Sequence, residues 1–183
     1  MHSDIFASVG DDRKIKIFDT IDPNFLSIES TEIHNNDIFS LDFNPFNEWL
    51  LCTGSADNSI RISDIRKLQS ELIKLNYHQS KVNSVKWSPF NETVLASTGD
   101  DCKAVLWDIS LSHKESIIPN NEVDNKSNIN RDIIFIHAGH TMGIHDISWN
   151  MQNYLFLASV DGDNSVQVWK LNDEFYFNQN LII

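Results

Sequence analysis

Histidine, a hydroxyl residue and aspartate recur together three times along the chain, as His34, Thr53 and Asp57, then His78, Ser97 and Asp101, then His140, Ser159 and Asp163. These are the residue types of a nucleophilic relay, in which an aspartate orients a histidine and the histidine takes the hydroxyl proton. In each set the histidine lies 23 residues before the aspartate and the hydroxyl four before it. Ser8 and Asp12 repeat the last two members near the start, where there is no room for the histidine. Six residues after each aspartate comes a fixed position held by Phe18, Ser63, Trp107 or Trp169. An enzyme converges its acid, base and nucleophile on one bond, whereas Asp12, Asp57, Asp101 and Asp163 fall in separate units. No hydroxyl has the local context of a nucleophile, and no glycine-rich phosphate loop occurs. The expected chemistry is therefore internal: polar groups that can be buried because they satisfy one another. No catalytic residue is assigned.

The elements that must position these residues follow from the repeat. The aspartates are 45, 44 and 62 residues apart, the last interval being one repeat plus an insertion of about 18. Alternation and β-branched or aromatic content predict strands over Ile38–Phe43, Trp49–Thr53, Ser59–Ser63 and Leu72–Leu75. They predict a second set over Val82–Trp87, Val94–Ser97, Lys103–Trp107 and Ile133–His137, and a third over Ile144–Trp149, Leu155–Ser159 and Ser165–Trp169. Ile5–Val9 supplies one strand before Asp12. Histidine from an entry loop, Ser or Thr from a second strand, aspartate from a tight turn and tryptophan from a third strand is the pattern of a WD-repeat propeller, which the chain resembles. The expected fold is all-β: a partial propeller of four-stranded antiparallel blades, about 3.5 of seven, with a short C-terminal helix. The expected division is a partial blade over 1–30, a blade over 31–76, a blade over 77–138 with insertion 109–131, a partial blade over 139–170, and a helix over 171–183. An unclosed ring leaves bare edges and apolar faces, so a fragment of a larger propeller, marginal alone, is expected.

Composition narrows the partners. Lys and Arg total 14 against 26 acidic residues, a net charge of −12, which disfavours direct contact with nucleic acid and favours a basic protein such as a histone tail. Nothing approaches about 18 consecutive apolar residues, so no membrane span is expected. No basic-then-apolar signal segment is visible at the N-terminus. Cys52, in a predicted core strand, and Cys102, beside a turn, occupy non-equivalent positions that suggest neither a disulfide nor a metal site and suit a reducing compartment. His137, His140, His145 and Asp146 crowd together, but the repeat accounts for His140, strand alternation accounts for His137, and no helix aligns the rest. No metal or other cofactor is expected.

Surface candidates are few. Ser63-Asp64-Ile65-Arg66 resembles the Trp-Asp-x-Arg docking box of substrate receptors for cullin ubiquitin ligases, with Ser in place of Trp. The plainer reading is that Asp64 and Arg66 end a strand and cap its loop. Ser63 also breaks the internal relay of its blade, which should be the weakest. The polar, Asn-rich insertion, with Glu115, Glu122, Asp124 and Asp132 diluted by Lys114, Lys126 and Arg131, is a candidate contact loop. Asn172, followed by Asp173 and Glu174, reads as a helix start carrying Phe175 and Phe177.

Four stretches go beyond the general repeat: Phe43-Asn44-Pro45-Phe46-Asn47-Glu48, Thr53-Gly54-Ser55-Ala56-Asp57, Trp87-Ser88-Pro89-Phe90-Asn91-Glu92-Thr93-Val94-Leu95-Ala96-Ser97, and Phe135-Ile136-His137-Ala138-Gly139-His140-Thr141. Together they resemble the C-terminal half of the retinoblastoma-binding, histone-binding WD-repeat proteins. The resemblance implies a nuclear, non-enzymatic subunit of chromatin-assembly, deacetylase, remodelling or Polycomb-type complexes, with histones and other complex subunits as partners. It implies a histone helix whose apolar side lies on Ile133, Ile134, Phe135 and Phe175 and whose basic residues face Asp132, Asp124 and Glu122. On the tail-binding face of that family Asp37 keeps a carboxylate. Lys81, Asn83, Gly143 and Gly162 replace its Glu, Phe, Lys and Glu, so tail binding there should be weak.

Overall fold

The computed structural model describes residues 4–21, 26–111 and 131–172. Within them the chain forms four antiparallel sheets placed side by side in sequence order, an incomplete β-propeller. The first sheet joins β1 (Ile5–Val9), β2 (Ile15–Asp19) and β3 (Leu26–Glu29). The second runs β4 (Ile38–Phe43), β5 (Leu50–Ser55), β6 (Ser59–Asp64), β7 (Glu71–Asn76). The third runs β8 (Val82–Trp87), β9 (Val94–Gly99), β10 (Ala104–Asp108), β11 (Ile133–His137), and the fourth β12 (Ile144–Trp149), β13 (Phe156–Asp161), β14 (Val166–Lys170). Several strands run one or two residues past the alternating apolar stretch, because pairing continues into polar turn residues such as Ser55 and Asp161. Strand β3 is one that its own short sequence does not announce. The expected closing helix, with Phe175, and the insertion, with Glu122 and Asp124, lie outside the described residues.

The core lies in the seams between sheets. Ile15, Ile17, Leu51 and Leu68 fill the first seam, Cys52, Ile62, Val85, Leu95, Val105 and Trp107 the second, and Ala96, Leu106, Ile147, Leu157 and Trp169 the third. Each seam is built from the relay-bearing side of one sheet against the plain side of its predecessor or successor, so β9 and β10, covered on both sides, are buried at every residue. That is why Val-Leu-Ala-Ser-Thr-Gly and Ala-Val-Leu-Trp-Asp read as nearly continuous small or apolar runs rather than alternating ones. Close approach demands glycine at Gly54, where an added Cβ would fall 2.7 Å from Val82 Cγ1 and 2.9 Å from Ser40 Oγ.

The hairpins joining the second and third strands of the full repeat share one backbone device. Arg13, Asn58, Cys102 and Asn164, one per sheet, take left-handed conformations with φ of 60, 66, 61 and 58°. Asn accepts this conformation readily, whereas Arg13 and Cys102 bear the steric cost of a Cβ near the following carbonyl.

Candidate functional site

In the third sheet the turn and strands converge four side chains. Trp107 Nε1–H donates to Ser97 Oγ at 2.8 Å, Ser97 Oγ lies 2.8 Å from His78 Nε2, and His78 Nδ1 lies 3.0 Å from both oxygens of Asp101. Since Ser97 accepts from the indole and has one proton to give, it donates to Nε2, and Nδ1–H donates to the carboxylate. Asp101 also accepts from Gln79 N at 3.1 Å, which ties the entry loop to the hairpin. These are the bonds of a catalytic triad, but Ser97 is wholly buried and its oxygen is already committed to Trp107, so no substrate can reach it.

The second sheet repeats the arrangement with one loss. His34 Nε2 lies 2.8 Å from Thr53 Oγ1 and His34 Nδ1 3.0 Å from Asp57 Oδ2, while Ser59 N and Oγ donate to Asp57 Oδ1 at 3.0 and 2.6 Å. Ser63 stands where Trp107 stands in the next sheet, and its hydroxyl is buried with no hydrogen-bond partner among the described residues.

The fourth sheet corrects the assignment of Asp163. His140 Nε2 lies 2.7 Å from Ser159 Oγ, and Trp169 Nε1 donates to that oxygen at 3.1 Å, but His140 Nδ1 bonds Asp161 Oδ2 at 2.8 Å. Asp163 keeps its place in the turn, just before left-handed Asn164, and its side chain is exposed. Asp161 sits two residues earlier, at the position of Ser55 and Gly99. From there it does two tasks: it accepts from Asp163 N at 3.0 Å, as Ser55 Oγ accepts from Asp57 N, and it takes the histidine bond. In the first sheet Asp12 accepts from Lys14 N and pairs with Lys16, both at the surface.

Electrostatics separate these carboxylates from ordinary ones. Burial would raise Asp57, but the bonds from His34, Ser59 and Asn35 outweigh it and hold the carboxyl far below its usual range. Burial likewise opposes, and the His78 bond prevails, at Asp101, which is lowered. The Ser165 and His140 bonds, ahead of any burial penalty, hold Asp161 well down. Asp42 is the opposite case: burial beside the second seam raises it, although Trp87 N donates to it at 2.7 Å.

The surface candidates fall at two opposite ends of the strands. Asp37 is half-buried at the hairpin end, where its carbonyl accepts from Ala56 N at 2.9 Å. Beside it Phe39 is exposed, with Lys81 Nζ 5.4 Å from its ring centre and 3.3 Å from Asp100. Asn83 Nδ2 donates to Asp100 Oδ1 at 2.6 Å and to the Ile144 carbonyl at 2.9 Å, and Gly143 and Gly162 line the same end. Asp132 belongs to the other end, where its carbonyl accepts from Asp108 N at 2.8 Å as the chain enters β11.

Strand β11 is the outer edge of its sheet. Ile133 packs partly on the second seam, and Ile134 and Phe135 on the third. The Phe135 ring stacks on Trp169 at 5.6 Å, and His137 stacks on the same indole at 4.7 Å while bonding Gln167 Oε1 at 2.7 Å. Among the described residues no group of three or more His, Cys, Asp or Glu is placed to hold a metal ion. Cys52 is buried, and Cys102 lies in the turn. Asp64 caps a short 3-10 helix, Ile65–Lys67, accepting from Arg66 N, and grips the Arg66 guanidinium through Nε and NH2. Arg66 lies 4.9 Å from the centre of the Trp49 ring.

The model of the WD domain, G-beta repeat, matches residues 27–64, 69–108 and 131–170. The chain belongs to the WD40 repeat family. Each matched segment takes in the outermost strand of one sheet and the first three strands of the next, and so spans one complete histidine relay; those relays are the internal pins of WD40 blades. WD40 repeats mediate protein–protein interaction and are generally non-catalytic, which agrees with hydroxyls sealed inside the blades. The chain is a WD40 interaction scaffold. Spacing alone points to Asp163, since it preserves the 23-residue interval; Ser165, whose hydroxyl donates to Asp161 at 2.7 Å, follows Asp163 by two residues as Ser59 follows Asp57, so it does not separate the two aspartates in sequence.

Proposed function

We propose that this WD40 chain is a non-enzymatic, histone-binding scaffold subunit of chromatin-assembling or chromatin-modifying complexes, acting in the nucleus. The observation that carries the reading is the β11 edge: an outermost strand headed by Asp132, with Ile133, Ile134 and Phe135 half-buried along it and Ile136 exposed. An amphipathic basic helix would lay its apolar side along that edge and turn its cations toward Asp132, with Glu122, Asp124 and Phe175, which lie outside the described residues, proposed as further contacts. A net charge of −12 supports a basic partner by long-range attraction. The replacement of acidic positions by Lys81 and Gly162 supports a lesser part for the Asp37 end.

Asp132→Lys should weaken binding of a basic, amphipathic histone helix peptide while leaving the thermal transition unchanged. Unaltered affinity removes the β11 edge from the interface. A pulldown from nuclear extract that recovers histones with deacetylase or assembly subunits supports the chromatin reading. Recovery of a cullin adaptor instead would favour docking through Asp64 and Arg66, whose guanidinium is held by its own carboxylate and by Trp49.

A further inference from the structure

Away from the β11 edge, the turns joining the first and second strands of the second and third sheets enclose a cleft of about 300 Å³ lined by Asn44, Pro45, Phe46, Asn47, Trp49 and the carboxylate residues Glu48 and Glu92. We propose that this cleft is a binding site for the cationic side chain, arginine or lysine, of a basic segment in a partner protein. Among the described residues its lining combines an exposed aromatic ring, Phe46 at 52% exposure, with two acidic residues and no basic one. That combination attracts a cation through ring face and carboxylate together and repels phosphate, so a nucleic-acid occupant is disfavoured. Trp49 already accepts one cation, Arg66, whose charge Asp64 neutralises.

The walls are held before any ligand arrives. Asn44, buried, accepts from Phe46 N and Asn47 N at 2.8 and 2.9 Å through Oδ1, while its Nδ2 donates across the seam to the Glu92 carbonyl at 2.8 Å. One amide thus fixes both turns in register, and Asn47 Oδ1 fixes Trp49 N at 3.1 Å. A site whose backbone is fixed in this way spends little of its binding energy on ordering. Phe-Asn-Glu occurs in both turns, as Phe46 to Glu48 and Phe90 to Glu92, and the Phe90 ring meets Tyr154 of the next sheet at 6.1 Å, so an aromatic strip continues past the cleft.

The test is a ¹H–¹⁵N titration of the full chain with N-acetyl-arginine amide, N-acetyl-lysine amide and N-acetyl-norleucine amide. The cationic amides should move the resonances of residues 46–49 and 92, including the Trp49 indole, and norleucine amide should not. Phe46→Ala and Glu92→Gln, both surface changes whose dispersed spectra report folding, should each weaken binding about twofold to fivefold. Equal shifts with norleucine amide, shifts centred on another face, or affinity unchanged in both variants overturns the assignment. The outcome is independent of the β11 edge, since Asp132→Lys should leave this titration unaltered.

Discussion

The second and third sheets each bond their histidine to a buried hydroxyl and to the hairpin aspartate, and differ most at the position of the tryptophan, which shows what that residue is for. In the third sheet Trp107 saturates Ser97 and, completely buried, fills the seam behind it. In the second sheet Ser63 leaves the corresponding seam to smaller apolar side chains, and among the described residues its own buried hydroxyl has no bond. The histidine and aspartate hold the hairpin to the entry loop in both. The indole is therefore a packing element that also completes the relay, and a blade can lose it while keeping the loop pinned.

Making the third sheet resemble the second is the most severe way to break this comparison. Trp107→Ser should cost about 3–5 kcal/mol, because it opens a cavity at the middle seam and strips Ser97 of its donor. A urea midpoint barely lower than that of the unmodified chain would show that the indole is not structural. In the fourth sheet, Asp161→Asn should destabilise clearly and Asp163→Asn hardly at all. Equal effects would restore Asp163 to the relay. Gly54→Ala should cost about 1–3 kcal/mol by forcing a methyl into Val82 across the seam and into Ser40 on the neighbouring strand, readable in the same urea curves.

Acid sharpens the contrast between relay and surface carboxylates. Asp57, Asp101 and Asp161 bind protons less readily folded than unfolded, so they add stability above the ordinary carboxyl range, about pH 4, and lose it as pH falls toward their depressed values. Thermal scans should show a steep loss of stability on that acid side, flattened by Asp57→Asn. The smallest change runs the other way. Ser63→Ala should be neutral or stabilising by about 1 kcal/mol, since it removes a buried hydroxyl that has no bond among the described residues.

Much of this architecture is legible in the residues themselves. The pairing of each histidine with its hydroxyl can be read from spacing, because strand and hairpin geometry leave no freedom between them. The aspartate is less secure. A turn can offer a carboxylate from either of two positions two residues apart, and spacing cannot tell which one reaches the ring. Strand ends blur for a related reason, since backbone pairing in β5 and β13 continues through Ser55 and Asp161 after apolar alternation has stopped. The cleft beside Asn44 was hidden more deeply. It depends on an amide reaching the backbone of another sheet, 48 residues along the chain, a contact with no local signature. Of the residues assigned to the histone surface, Asp132 to Phe135 share one edge and Asp37 lies at the opposite end, while Glu122, Asp124 and Phe175 fall outside the described residues.

Because every seam joins unlike sides, the array has a front and a back. The first sheet turns the stacked rings of Phe6 and Phe18 outward on one side, and the last turns Val160, Val166 and Val168 outward on the other. A docking neighbour would meet flat aromatic plates at one extremity and a ridge of branched aliphatics at the other, so a molecule shaped for one could not simply be turned round to fit its counterpart.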